Sequence, residues 1–116
     1  LDDLAARLQE KSYLNAYTYY KIGRYKSAIV AFKNAMKRYP DSPRSEEMMY
    51  YTTVSAYRLA ANSIETKQLD RYLAMLDYYY SFLSEYPESS RLKELERMAR
   101  DARNFIDKNR TTQQTM

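Results

Sequence analysis

The sequence predicts an all-α fold: an α-solenoid of two helix hairpins closed by a C-terminal capping helix. Three observations carry this. Apolar residues recur at spacings of three and four through five successive stretches. A segment repeats itself at an offset of 47 residues. And a single Gly in 116 residues leaves little material for a hairpin-rich β fold, which wants glycine in its tight turns.

The first stretch runs from about Leu1 to Lys21 and stops at Gly23, the sole glycine, which can take the positive φ that ends a helix. The second, about Arg24 to Tyr39, carries Tyr25, Ala28, Ile29, Phe32, Ala35, Met36 and Tyr39 as an amphipathic stripe. Pro40-Asp41-Ser42-Pro43 ends it, with Ser42 placed as an N-cap and Pro43 at the first helical position. The third covers about Arg44 to Asn62, with Met49, Thr52, Thr53, Ala56 and Ala60 on its inner line. A polar run from Asn62 to Gln68 reads as a loop. The fourth stretch, about Leu69 to Tyr86, repeats the stripe as Tyr72, Met75, Leu76, Tyr79, Phe82, Leu83 and Tyr86, and Pro87-Glu88-Ser89-Ser90 breaks it. The fifth, about Arg91 to Lys108, buries Leu92, Leu95, Met98, Ala99, Ala102 and Ile106. In residue ranges, the first helix pair occupies 1–40, the second 43–87 with a longer connection, the capping helix 89–109, and 110–116 is a disordered tail.

The second and fourth stretches are copies. At the 47-residue offset Tyr25 meets Tyr72, Phe32 meets Tyr79, Met36 meets Leu83, Tyr39 meets Tyr86, and Pro40-Asp41-Ser42 meets Pro87-Glu88-Ser89. A repeated helix pair with a shared turn predicts stacked hairpins, each burying its apolar face against the next.

Composition excludes much chemistry. With no His and no Cys there is no Ser-His-Asp or Cys-His machinery, no thiol redox, no disulfide and no ordinary zinc site. No catalytic residue, cofactor site or metal site is expected, and the chain reads as a non-enzyme. Asp2-Asp3 and Glu46-Glu47 sit near helix starts, where carboxylates favour the positive end of the dipole. The longest apolar run, Ala28 to Phe32, is far short of the roughly 20 residues of a membrane helix. The opening Leu1-Asp2-Asp3-Leu4 has a helical pattern and no initiator Met, and reads as a piece cut from a longer protein.

The first copy resembles the tetratricopeptide repeat. Ala16, Tyr19, Gly23, Tyr25, Ala28, Phe32, Ala35 and Pro40 stand at its small, aromatic, turn and stop positions. Ala16 and Ala28 are small where two helices cross, and Tyr19, Tyr25 and Phe32 fill the gaps beside them. In the second copy Tyr72, Tyr79 and Pro87 hold the corresponding places, while Asp70 replaces the glycine and Met75 and Phe82 stand where small residues belong. The segments Tyr13 to Ala28, Leu59 to Glu65 and Tyr78 to Ser89 further resemble the Bacteroidetes branch of the BamD family of outer-membrane β-barrel assembly lipoproteins, over about residues 4 to 108.

The resemblance implies the last two repeats and closing helix of a protein on the periplasmic side of the outer membrane, held there by an N-terminal lipid outside this sequence. It implies a scaffold that docks the periplasmic domains of the barrel-forming subunit BamA, with other assembly subunits or unfolded outer-membrane proteins as further partners. The alternative is a generic repeat adaptor of another periplasmic or cytoplasmic complex. In this architecture the first helix of each pair lines the concave groove. Tyr13, Tyr17 and Tyr20 share one face there, with Lys21 following, and Tyr50 and Tyr57 repeat the spacing on the third stretch. Tyrosine suits a protein-binding surface, with a large ring, few rotors and a polar tip. These rings are candidate partner-binding residues; the competing reading is that they pack only on neighbouring helices. Lys26, Lys33 and Lys37 form a basic stripe on the outer face of the second helix, a second candidate contact surface or an ordinary solvated face. Nucleic acid is not an expected partner, because the net charge is only +4 and the tyrosines are not interleaved with the lysines. The surface around Leu1, Leu4 and Leu8 is expected to be a cut face through which the chain can self-associate.

Overall fold

The computed structural model describes the backbone of residues 2–115 and the side chains of residues 3–110. Five helices follow one another: α1 (Asp2–Lys21), α2 (Tyr25–Arg38), α3 (Ser45–Ala61), α4 (Glu65–Glu85) and α5 (Leu92–Thr115), with no strand among the described residues. Each helix packs on the next, and the first helices of successive units, α1 with α3 and α3 with α5, also touch. The result is an elongated all-α solenoid of 62 × 29 × 19 Å.

The α1–α2 turn is made by Gly23. Its φ is +80°, its N–H donates to the Tyr20 carbonyl at 3.1 Å, and the Arg24 N–H donates to the Tyr19 carbonyl at 2.9 Å. This pair of bonds satisfies carbonyls that the end of α1 leaves without helical partners.

The repeat recurs in backbone geometry. Tyr39 ends α2 at φ −128°, ψ 69°, with its N–H on the Ala35 carbonyl; Tyr86 ends α4 at φ −131°, ψ 63°, with its N–H on the Phe82 carbonyl. Ser42 and Ser89 then fold back, each N–H reaching the preceding tyrosine carbonyl at 3.1 Å. Their hydroxyls accept the N–H groups of Arg44 and Arg91, both at 3.1 Å. Ser42 was expected as the cap of the third helix, with Pro43 inside it. It lies one turn earlier instead: α3 starts at Ser45, whose hydroxyl donates to the Ser42 carbonyl.

The core has two parts. Ala16, Ala28 and Phe32 are fully buried with Ala35, Met48 and Tyr13 between α1, α2 and α3. Val54, Ala60, Met75, Phe82, Leu95, Ala99 and Ala102 fill the space between α3, α4 and α5. Tyr72 and Tyr79 are buried as core rings. Tyr19 and Tyr25, expected beside them, are only half-buried. Tyr19 lines a shallow cleft with Ser12, Asn15 and Val30, formed by α1 and α2 alone among the described residues. Leu83, expected on the inner stripe, is 38% exposed.

Two boundaries differ from the sequence reading. The polar run 62–68 is not a loop: the α3–α4 connection is three residues and α4 starts at Glu65. The polar side chains there finish α3. Gln68 Nε2 donates to the Ala60 and Ala61 carbonyls and Ser63 Oγ to the Leu59 carbonyl, so residues that look like loop cap one helix while opening the next. The second pair therefore has a longer second helix, 21 residues against 14 in α2, rather than a longer connection. At the other end, α5 continues to Thr115, because no Gly or Pro follows Lys108 to stop it. The tail at 110–116 thus has helical backbone through Thr115, and its side chains beyond Arg110 lie outside the described residues.

A Cβ on Gly23 would meet nothing within 4 Å, so substitution there is opposed by φ alone. Gly23→Ala should cost about 1–2 kcal/mol in urea unfolding, the usual penalty of a left-handed alanine, with Gly23→Asn costing less. Equal stability of all three proteins would mean the turn does not constrain the first hairpin.

Candidate protein-docking surface

The first helices present a wall of tyrosine rings. On α1, Tyr13 and Tyr17 stack with centroids 5.9 Å apart and planes 8° from parallel, and Tyr17 and Tyr20 are also 5.9 Å apart. These residues fall at i, i+4 and i+7, so one helical face carries all three. Tyr51 of α3 joins them, 5.1 Å from Tyr17, 4.7 Å from Tyr20, 5.9 Å from the buried Phe32 and 5.0 Å from Tyr50.

Carboxylates of the next first helix hold the hydroxyls. The Tyr13 O–H donates to Glu47 at 2.9 Å, Tyr50 to Glu94 at 2.9 Å, and Tyr57 to Asp101 at 2.7 Å. Tyr50 and Tyr57 stand seven residues apart on α3, and Glu94 and Asp101 seven apart on α5, so two turns of each helix run in register. Arginines cover the rings. The Arg44 guanidinium lies 4.5 Å from the Tyr13 centroid, Arg91 lies 4.4 Å from Tyr50, and Arg58 lies 5.5 Å from Tyr20. Arg44 also bonds Glu10 of α1 at 2.6 Å and Glu47 at 3.1 Å. Lys21 sits 5.9 Å from the Tyr17 ring.

The environment keeps these phenols neutral. Burial, then the hydrogen bond to Glu94, pushes the Tyr50 hydroxyl up to about 12. Burial and the bond to Asp101 push Tyr57 to about 12 as well. Tyr13 is raised further by burial and Glu47, and burial also raises Tyr51.

The predicted partner-binding residues therefore separate. Tyr13 is corrected: at 4% exposure it is a core ring, covered by Phe32, Tyr17 and Arg44, and offers no free face. Tyr17, Tyr20, Tyr50 and Tyr57 are half-buried, their rings partly in the wall and partly at its surface. Lys26 and Lys37 are exposed on α2. Lys33 leans over Tyr78 of α4 at 5.5 Å, at the edge of a cleft of about 270 Å³ lined by Met36, Met49 and Tyr78. The lysine stripe is thus exposed throughout, with Lys33 bordering a cleft over α3 between α2 and α4. Leu4 and Leu8 are 58% and 48% exposed, while Leu1 lies outside the described residues. Glu46 accepts from Ser89 and Glu47 from Tyr13 and Arg44, so both members of that acidic pair serve the junctions.

Sequence reasoning missed Tyr51 and the carboxylates and arginines that partner the tyrosines. The signal was present. Carried past the Pro-acid-Ser turn, the 47-residue offset pairs Arg44 with Arg91 and Glu47 with Glu94. An Arg-x-x-Glu-x-x-Tyr pattern then emerges at 7–13 and 44–50, and ends as Arg-x-x-Glu-x-x-Arg at 91–97.

Against known families, the sequence matches the model described as YfiO, outer membrane lipoprotein, over residues 4–111. The chain belongs to this family, the BamD-type outer membrane lipoproteins. No curated protein matches it. The YfiO family serves outer-membrane assembly, and the repeat-like helical fold accords with that membership. Among the described residues no helix is long and apolar enough to cross a membrane.

The tyrosine environment has a pH consequence. An unfolded tyrosine ionises near 10, whereas Tyr50 and Tyr57 in the fold hold their protons to about 12. Between those values the unfolded chain has released protons that the folded chain retains. Stability is therefore full below pH ~10 and falls as the pH rises toward ~12. In alkaline denaturation, Tyr50→Phe with Tyr57→Phe should start less stable at neutral pH and lose less between those limits than the parent. Parallel losses would place the titration elsewhere.

Proposed function

We propose that this chain is a non-catalytic scaffold of the outer-membrane β-barrel assembly complex, docking the periplasmic domains of BamA through the tyrosine wall of α1 and α3. Its place is the periplasmic side of the outer membrane, with the lipid anchor on a segment outside this sequence. It makes and breaks no bond; it holds the barrel-forming subunit in position while outer-membrane proteins fold and insert.

One observation carries the reading beyond family membership. The half-buried rings of Tyr17, Tyr20 and Tyr51 form a continuous, rotamer-poor surface rimmed by Lys21, Arg58 and Arg91. Rings already locked by stacking lose little entropy on binding, and aromatic residues with arginine dominate protein interfaces. The cationic rim favours a partner segment bearing carboxylates beside apolar side chains. The register of α1 supports a solenoid that continues upstream. Arg7 and Glu10 stand where Arg44 and Glu47 stand on α3, ready to receive a tyrosine from another first helix, and Leu4 and Leu8 are exposed beside them.

The test is a pull-down of this chain with the periplasmic domains of BamA from the same organism. Lys21→Glu with Arg58→Glu alters the rim without emptying the core, and should weaken capture at least about tenfold, since reversing interfacial charges removes attraction and adds repulsion. Lys33→Glu with Lys37→Glu on the other face should leave capture unchanged. Loss in the second pair alone would move the interface to the α2–α4 side. No capture of the parent chain would favour an adaptor for another complex.

A further inference from the structure

The two ends of the hairpins differ in character. At one end lie the turns between the helices of each pair, residues 22–24 and 62–64; at the other lie the turns that join the pairs. The first end carries the two most exposed large apolar side chains among the described residues, Ile22 at 62% and Ile64 at 66%. The two turns adjoin, since Gly23, Arg24 and Lys26 share a shallow cleft with Leu59 and Asn62, and Arg58 Nη1 donates to the Tyr25 hydroxyl across it. Around the tips stand Lys21, Arg24, Lys26, Arg58, Lys67 and Arg71, against Glu65 and Asp70. At the opposite end, residues 37–47 and 85–94 hold Asp41, Glu46, Glu47, Glu85, Glu88 and Glu94 against five cations.

A ring of cations about two protruding apolar tips, at one end of a rigid rod, matches a surface of anionic headgroups over hydrocarbon. We propose that this end of the solenoid docks on an anionic phospholipid bilayer, with Arg24, Lys26 and Lys67 on the phosphates and Ile22 and Ile64 dipping below them. Membership of an outer membrane lipoprotein family places the chain beside such a surface and favours lipid over a second protein as the occupant. The contact adjoins the tyrosine wall, since Lys21 and Arg58 stand beside both, but it rests on other residues, Ile22, Arg24, Lys26, Ile64 and Lys67, and it modifies the expectation that the membrane is met only through an N-terminal lipid. It also reassigns Lys26 from the stripe on the outer face of α2 to the turn end.

Vesicle co-sedimentation tests it, comparing pure phosphatidylcholine with phosphatidylcholine containing phosphatidylglycerol. The chain should sediment with the anionic vesicles only, and added salt should weaken the binding. Arg24→Glu with Lys26→Glu and Lys67→Glu should lower binding at least about tenfold, because each cation near a charged leaflet contributes about as much as a weak ion pair. Ile22→Ser with Ile64→Ser should remove the part that survives salt. All these positions except Lys67 lie at or beside the turns and all are exposed, so an unchanged helical signal and melting curve are expected of each variant. No sedimentation with anionic vesicles overturns the proposal. So does an equal loss in Lys33→Glu with Lys37→Glu, which would mean unspecific attraction. Loss of BamA capture in the tip variants without any vesicle binding would make the end a protein contact instead and would likewise overturn it. The tip variants leave Lys21 and Arg58 in place, so loss of vesicle binding with BamA capture intact, or the reverse, separates the two readings.

Discussion

A tyrosine hydroxyl donated to a carboxylate on the next first helix, beneath an arginine that immediately precedes that helix, holds each junction of the stack. Glu10 and Tyr13 of α1 face Arg44, at the N-cap of α3, and Glu47 of α3, and the four groups form a closed circuit of hydrogen bonds and a cation over a ring. Arg91, just before α5, and Glu94 of α5 hold Tyr50 by a cation over the ring and a hydrogen bond to its hydroxyl. The ion pair alone would contribute little, because its side chains remain 32–42% exposed. What makes the junction specific is the ring. It supplies apolar area and fixes where the hydroxyl and the cation must sit, so the two helices meet in one register.

That constraint propagates in both directions. In a solenoid each unit contacts only its neighbours, so the geometry of the whole is the sum of its junctions. Holding the Tyr13 and Tyr50 rings orders Tyr17, stacked on Tyr13, and Tyr51, edge-on to Tyr50, and Tyr17 in turn orders Tyr20, so the proposed docking wall depends on these clamps. At the third position of the pattern Arg97 replaces the tyrosine, so α5 offers no ring for a further clamp of this kind. The hydroxyls must be neutral to donate, and burial beside carboxylates keeps them so.

Apolar spacing made all five helices legible, and Gly23 and the two Tyr-Pro turns located three of the breaks. The α3–α4 break was misread in length, because Ser63 and Gln68 spend their polar groups on the carbonyls of α3, and polarity alone does not distinguish a cap from a loop. Tyr13 was misplaced for a related reason. Its spacing with Tyr17 and Tyr20 defines a face of an isolated helix, but in the solenoid α1 is packed by α2 on one side and α3 on another, and Tyr13 falls where both meet it. The charged clamp residues looked like surface residues when read singly. Only comparison across the repeat, Arg44 with Arg91 and Glu47 with Glu94, marks them as a unit. Partner identity is not written in periodicity, since packing fixes which rings are half-exposed and the partner decides which of those matter.

The tyrosine–carboxylate clamps couple successive first helices. A double-mutant cycle on Tyr50→Phe and Glu94→Gln, read by equilibrium unfolding, measures that coupling. Each single change should cost about 1–2 kcal/mol, as expected for a hydrogen bond to a charged group that is not fully buried. The pair should cost less than the sum, with a coupling of about 1 kcal/mol. Additive losses, with no coupling energy, would mean that the two groups merely lie together and that the stack is held by its apolar core alone.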